Sequence, residues 1–428
     1  MKILLIGYSD AGGGAAIAAK RLLGAMVKNG VNVKMGVVEK RTNSPYVFEL
    51  PKNPNFEQQN AKRNKKKLLQ TTNPILHSIN KLSKIDVNYI NQSDFDIINL
   101  HWIGFATISI EDVAKIKKPI VWTMHDSWLF CGAEHHPNML EKDTRFEQGY
   151  FKDNFPATSS GVDICRQTWE RKRKVWKNAK FNFVSPSNYE AQCLNKSALF
   201  KGKTATVIPN VIPANFKPLS LSVKNILKKT LAIPLNKKII GFGAVGVVSD
   251  GKSIKGELFL LDALKKLKTK QNCFAVIFGA SDNKFSNILP IESLSVGEIL
   301  DINLLNAIYN LLDVFVCPST IENLPYVCLE AMFCGVPVTA FETGGIPDIV
   351  EHKKTGYLAK PFIVDDLARS IEFCLANQKN LSKNSLARAK SDYFNEKRIV
   401  KSYMKIFEKI FDKQDIDYQV TIGIRAVK

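Results

Sequence analysis

The stretch Asp313-Val314-Phe315-Val316-Cys317-Pro318-Ser319-Thr320-Ile321-Glu322-Asn323-Leu324-Pro325-Tyr326-Val327-Cys328-Leu329-Glu330-Ala331-Met332-Phe333-Cys334-Gly335-Val336-Pro337-Val338 decides the fold. Asp313–Cys317 is a short apolar run, the pattern of a strand buried on both faces. Pro325 suits the first helical position, where its missing N–H would have no partner anyway, and the spacing predicts a helix over 325–334. A second apolar run follows at Val336–Ala340. Strand, loop, helix and strand in this order form the repeating unit of a parallel sheet covered by helices. Ligands of such sheets lie beyond the carboxyl ends of the strands, which is where Glu322 falls. Glu330 falls within the helix and is the only charged residue between Leu324 and Phe341. A carboxylate among such neighbours needs hydrogen-bond donors, which sugar hydroxyls would supply. The competing reading is an exposed Glu that merely favours the helix dipole.

Outward from this stretch the alternation continues in both directions. Lys238–Gly243 and Cys273–Phe278 read as strands, Glu257–Lys268 and Asn303–Leu312 as helices. Earlier in the chain, Ile3–Tyr8, Val31–Val38, Ile97–Leu100, Ile120–Met124 and Phe181–Val184 read as strands, and Ala15–Val27 as a helix stopped by Gly30. Between the two series, Pro209, Pro213, Pro218 and Pro234 mark an interdomain linker. The expected architecture is α/β, with two doubly wound domains. Residues 1–208 form the first, 209–235 the linker, 236–395 the second, and 396–428 a terminal helix and tail.

Two loops invite a phosphate. Gly12-Gly13-Gly14 joins a strand to a helix, so backbone N–H groups can approach an anion at the helix start. A dinucleotide fingerprint would need Gly or Ala where Ile17 stands, although Glu39 after the second strand could serve as the ribose-binding acid. The bland alternative is a tight turn. Gly246–Ser253 fits the pattern G-x-x-x-x-G-K-[ST] of nucleotide hydrolases. Against it, Gly256 would then sit inside the helix, at a cost of about 1 kcal/mol relative to Ala. No later strand ends in a magnesium-holding Asp either. The favoured arrangement starts the helix at Glu257 and leaves Lys255 as a point charge in the site.

Composition narrows the class further. The chain has 428 residues, with 60 Lys+Arg against 40 Asp+Glu, a formal charge of +20. That balance suits nucleotides, phosphates or an acidic membrane face. No apolar run is long enough for a signal peptide or a membrane span, so a cytoplasmic protein is expected. The eight cysteines include no C-x-x-C pair, and Cys131 and Cys165 are too sparse for a zinc site, so no metal is assigned. His135-His136 lacks a third ligand at clear spacing and reads as surface. Two basic clusters, Lys62–Lys67 and Arg171-Lys172-Arg173-Lys174, read either as solvated helix faces or as contacts to anionic lipid at the inner face of the membrane. No RNA-binding signature accompanies them, and nucleic acid is not an expected partner.

Taken together, these residues resemble glycosyltransferase family 4, the group 1 glycosyltransferases. Glu322 and Glu330 are similar to the family's E-x7-E motif. Gly13-Gly14-Ala15, Val207-Ile208-Pro209-Asn210, Lys255-Gly256, Gly344-Gly345-Ile346-Pro347-Asp348 and Thr355-Gly356 occur in the family's order over roughly residues 1–410. Thr123-Met124-His125-Asp126-Ser127-Trp128 looks like the subset acting in bacterial surface-polysaccharide assembly, including colanic-acid-type enzymes. The resemblance implies a GT-B fold, two Rossmann-like domains facing a cleft with the last helix returning to the first. It implies retaining transfer from a UDP- or GDP-linked sugar to a saccharide acceptor, lipid-linked in the surface-polysaccharide subset, with no cofactor and no required metal.

By the same resemblance His125, Asp126 and Glu322 belong to the reacting centre. Gly13, Gly14, Lys252, Lys255, Ser281, Asn323, Leu324 and Glu330 would bind the donor, with Glu330 on the ribose. The family usually has an Arg before the Lys-Gly pair; here 244–255 contains none, and Lys252 stands in its place. The competing functions are a P-loop nucleotide hydrolase and a non-catalytic nucleotide- or membrane-binding module.

Overall fold

The computed structural model describes residues 1–61, 70–71, 73–243, 253–279 and 284–426. The chain divides into two compact units. The first comprises Met1–Asn138, Lys142–Val211 and Asn395–Lys428, and the second Ile212–Phe394 together with Met139–Glu141.

The first unit holds β1 (Ile3–Ser9), β2 (Val33–Glu39), β3 (Val47–Glu49), β4 (Ile97–Leu100), β5 (Ile120–Thr123), β6 (Phe181–Ser185) and β7 (Ala205–Val207). They form one 7-stranded sheet in the order β3-β2-β1-β4-β5-β6-β7. Its pairings are parallel, with Ile3 opposite both Val33 and Ile97. Successive side chains of a strand point to opposite faces, and β1 shows it: Leu4 and Ile6 join one core, Ile3 and Leu5 the other. The helix Gly14–Lys28 covers the second face through Ala19, Leu22, Leu23 and Met26. So does the last helix, Glu396–Ala426, which contributes Ile399, Val400, Tyr403 and Phe407 to that core.

The second unit holds β8 (Lys238–Gly243), β9 (Cys273–Phe278), β10 (Ser293–Ser295), β11 (Val314–Cys317), β12 (Val338–Phe341) and β13 (Gly356–Ala359). They form a 6-stranded sheet in the order β10-β9-β8-β11-β12-β13, again with parallel pairings. Both sheets are therefore doubly wound, and each reverses its strand order beside its own first strand: between β1 and β4, and between β8 and β11. Loops at such a switch point splay apart and leave a crevice for ligands.

Two details differ from the sequence expectation. Pro325 is the N-cap of the helix Tyr326–Phe333, with ψ 124°. It is not the first helical residue, because the extended backbone lets the loop carrying Glu322 and Asn323 run into the helix. The stretch expected as a linker contains the helix Leu221–Thr230, capped by the Ser220 side chain, which packs on the helix Ile302–Leu311. No described helix is long and apolar enough to cross a membrane.

Candidate functional site

In the second unit the site is built from the loops after β8 and β11. Gly256 caps the helix Glu257–Lys266 in the left-handed region, φ 74°. A Cβ there would lie 1.9 Å from the carbonyl oxygen of Pro318, so only glycine lets the two loops touch. The Thr320 amide donates to the Ile254 carbonyl at 2.8 Å and ties the same loops a second time. Across this junction Lys255 Nζ donates to Glu322 Oε1 at 2.7 Å. Burial works against the lysine's charge, but the Glu322 carboxylate outweighs it and the pKa of Lys255 is raised. The backbone of Glu322 is gripped from the other side. The Gly345 amide donates to its carbonyl at 2.9 Å, and a Cβ on Gly344 would approach that oxygen to 1.9 Å.

Asn323 and Leu324 follow in the same loop and are buried. Glu330, on the helix, is 4% exposed, so the exposed-dipole reading fails. Its Oε2 accepts from the hydroxyl of Tyr309 at 3.0 Å. Burial, then the Glu330 carboxylate, hold that phenol well above its ordinary pKa. Lys252 and Ser281, along with most of the Gly246–Ser253 stretch and the cluster Lys62–Lys67, lie outside the described residues. The helix nonetheless starts at Glu257 with Gly256 outside it, which is not the arrangement of a P-loop.

In the first unit Gly13 caps the helix Gly14–Lys28 at φ 97°, and a Cβ on Gly13 or Gly14 would meet nothing within 4 Å. No acidic residue occupies the helix's first turn. The preceding Asp10 anchors the loop by accepting from the Arg41 amide at 2.7 Å and from Lys20 at 3.1 Å. Glu39, the residue a dinucleotide reading would use, accepts instead from Arg41 at 2.7 Å and from the Tyr8 hydroxyl.

Beyond β4 and β5 stands a histidine cluster. His101 Nδ1 and His125 Nε2 are 2.8 Å apart. His101 Nε2 is buried with no partner among the described residues. An unprotonated nitrogen is the cheaper one to leave so, which puts the His101 proton on Nδ1, donated to His125. Burial pushes His125 down to about 4 and His101 well below its ordinary value, so both rings are neutral near pH 7. Asp126 accepts from Trp102 Nε1 at 2.7 Å and from the Trp128 amide at 3.0 Å, and its Oδ2 is 2.5 Å from His135 Nδ1. Burial alone would raise its pKa; His135 prevails and brings it to about 2.

The surface reading of His135 is wrong. It is 4% exposed, fixed between Asp126 and the Ser78 hydroxyl, the latter at 2.8 Å. The basic run at 171–174 is not a bare solvated face either. Lys172 is 0% exposed and donates to the carbonyls of Trp128, Cys131 and Gly132, with its ammonium 3.7 Å from the Trp128 ring centre. Arg171 donates to Glu111 at 2.6 Å and to the carbonyls of Ile79 and Asn80. Both residues brace the fold behind the His125 loop. Tyr309 is the contributor that sequence reasoning missed, because it lies 21 residues from its partner Glu330. His101 and Trp102 are marked in the sequence by their position just past a strand end, where packing and binding read equally well.

Two doubly wound parallel sheets with loops converging at their switch points define the GT-B class of fold. Solved structures agree over nearly the whole chain. Anabaena HepE, solved with UDP-glucose, superposes with a TM-score of 0.67 at 17% identity, covering 96% of this chain and 100% of that one. WaaG, a glycosyltransferase involved in lipopolysaccharide biosynthesis, gives 0.63 at 13% identity, covering 94% and 99%. In sequence, residues 224–391 match the family described as glycosyl transferases group 1. The D-inositol 3-phosphate glycosyltransferase of Corynebacterium jeikeium is 26% identical over 219 residues, 48% of this chain and 51% of that protein. A Campylobacter jejuni N-acetylgalactosaminyltransferase named for a diphospho-undecaprenol substrate is 28% identical over 162 residues, 36% and 42%. The chain spans about half the length of the first curated relatives it matches.

Proposed function

We propose that the protein is a retaining glycosyltransferase that moves a sugar from a UDP- or GDP-linked donor to a saccharide acceptor, with no metal needed in the chemical step. The observation that carries this reading is the Lys255–Glu322 pair, 2.7 Å long, at the switch point of the second sheet and within the matched family residues. Lys255 supplies positive charge where a leaving diphosphate gains negative charge, the kind of preorganised stabilisation that lowers a barrier most. The loop carrying Asn323 and Leu324 lies beside that charge, and the open helix start at Gly13 and Gly14 in the first unit is by itself suited to a donor phosphate. Glu322 contacts the transferred sugar, and Glu330 accepts the ribose hydroxyls beside Tyr309.

In a retaining transfer the acceptor and leaving group can use one face of the sugar. The leaving phosphate then takes the acceptor's proton, and no dedicated base is needed. The neutral ring of His125 fits an orienting group that hydrogen-bonds the sugar. Asp126, already shared among Trp102, His135 and the Trp128 amide, fixes the loop. The solved complex of HepE with UDP-glucose supports a nucleotide-sugar donor. The name of the Campylobacter relative supports a lipid-linked acceptor, hence surface-polysaccharide assembly by a cytoplasmic protein at the inner face of the membrane.

Slow hydrolysis of a panel of nucleotide sugars, with the anomer of the released sugar followed by NMR, tests the reading. A retained anomer and stabilisation by UDP or GDP without magnesium are expected. Stabilisation by Mg-ATP alone would reverse the assignment to a nucleotide hydrolase. Stabilisation by no nucleotide would make the protein a non-catalytic module.

A further inference from the structure

His77, Glu134 and Cys165 come from three separate segments, yet a ring nitrogen, a carboxylate oxygen and the thiol sulfur of these residues lie within 4.8 Å of one another. The backbone brings the first two together. His77 and Glu134 form an antiparallel bridge, flanked by Ser78 N donating to Ala133 O at 2.7 Å and His135 N donating to Leu76 O at 3.0 Å. Cys165 arrives in the first turn of the helix Ile164–Val175. That turn packs so closely on Gly132 that a Cβ there would lie 2.6 Å from the Cys165 carbonyl oxygen.

Glu134 is 2% exposed. Its Oε1 accepts from the Tyr150 hydroxyl and from the Gly132 amide, the latter at 3.2 Å. Its Oε2 is buried with no N–H or O–H donor among the described residues, and beside Tyr150 and Gly132 the carboxylate has only the weakly donating Cys165 thiol. A buried carboxylate oxygen so poorly supplied is costly, and a cation beside it removes the cost. The two neighbours are cation ligands. A neutral imidazole keeps a lone pair for a cation, and a thiol gives up its proton to solvent when a metal takes its place.

We propose that His77, Glu134 and Cys165 bind one zinc ion, with a water molecule as the fourth ligand. The donor set decides the metal: nitrogen, thiolate and a single carboxylate suit zinc, whereas magnesium and calcium take oxygen. One thiolate and one carboxylate neutralise the dication. Zinc bonds of about 2.0–2.3 Å place tetrahedral ligands about 3.3–3.8 Å apart, so the cluster contracts on loading. The role is a structural pin. It joins the segment around residue 77, the loop after Asp126 and the helix Ile164–Val175, and His135, next to Glu134, holds Asp126. The ion takes no part in sugar transfer, and the site stands whether or not the glycosyltransferase reading does.

The full chain, stripped with a chelator and titrated with cobalt(II), tests the site. A thiolate-to-cobalt charge-transfer band saturating at one equivalent and reversed by zinc is expected. Cys165→Ser should lose the band, Glu134→Gln should weaken cobalt binding at least tenfold, and Cys131→Ser should keep it. Absence of the band from the wild-type protein overturns the proposal, as does a band that survives Cys165→Ser and disappears with Cys131→Ser. Should Cys165→Ser not fold, the wild-type stoichiometry and the partly exposed His77→Gln decide. Full cobalt affinity in His77→Gln refutes the ligand set.

Discussion

Glu330→Gln separates the two things Glu330 can be, a ribose ligand or a partner for Tyr309. The substitution keeps size and leaves an amide oxygen to accept from the Tyr309 hydroxyl, now 3.0 Å from Oε2. Folding stability should therefore fall by no more than about 1 kcal/mol, the difference between a charged and a neutral hydrogen bond. Nucleotide binding should fall further. Hydrogen bonds to a charged acceptor are worth roughly 1.5–3 kcal/mol, and an amide cannot accept two ribose hydroxyls as a carboxylate does. The loss of affinity for UDP or GDP should be about tenfold to about 150-fold. Tyr309→Phe gives the opposite signature. It strips a donor from a carboxylate that is 4% exposed, costs about 1–3 kcal/mol of stability, and leaves most of the nucleotide affinity. Isothermal calorimetry and urea unfolding on the same preparations read both quantities. A folded Glu330→Gln protein with wild-type nucleotide affinity would refute the ribose role.

Lys255→Ala should abolish most transfer while Lys252→Ala is milder; an active Lys255 variant beside a dead Lys252 variant, in a steady-state assay, reverses the choice between transferase and nucleotide hydrolase. Gly256→Ala forces a Cβ to 1.9 Å from Pro318 O at φ 74°, so stability should drop by at least about 2 kcal/mol in urea unfolding; an unchanged midpoint contradicts the loop geometry. His125 has a folded pKa of about 4 against 6.5 unfolded, so between those values the unfolded chain binds more protons and stability falls as pH falls. Discounted for solvent screening at a half-buried ring, His125 contributes on the order of 1–2 kcal/mol to that fall. Unfolding at a series of pH values should give a shallower slope for His125→Gln, and an equal slope removes the burial argument. His125→Ala should lose much of the transfer rate with little loss of nucleotide affinity, and Asp126→Asn should lose less; steady-state kinetics with calorimetry checks both, and an inactive Asp126→Asn giving an inverted product would make Asp126 a general base.

The strands that sequence reasoning located and those it missed divide along a physical line. Ile97–Leu100, Lys238–Gly243 and Cys273–Phe278 were legible to the residue, because interior strands of a parallel sheet are apolar on both faces. The four strands not foreseen are Val47–Glu49, Ala205–Val207, Ser293–Ser295 and Gly356–Ala359, and these are the four sheet edges. Edge strands are short and partly wet, so they carry little periodic signal. The site divides similarly. Lys255, Glu322 and Glu330 are legible because one strand–loop–helix unit and one loop present them. His135 was misread because its partners, Asp126 and Ser78, are brought to it by folding alone. Lys172 was misread because a charge run in sequence says nothing of three carbonyls turned inward to meet it.

The last helix carries a consequence for how the protein is made. Ile399, Val400, Tyr403 and Phe407 belong to the same buried cluster as Ile3, Leu5 and Leu22, so one face of the first sheet is finished by residues translated long after its first strand. At about 5–20 residues per second, the ribosome works for tens of seconds between making β1 and making that helix. During this interval Ile212–Phe394, nearly all of the second unit, is synthesised and can reach its native state first. The first unit meanwhile waits with that apolar face covered only in part, by the helix Gly14–Lys28, a vulnerable nascent state that a chaperone would recognise and that premature termination would make permanent.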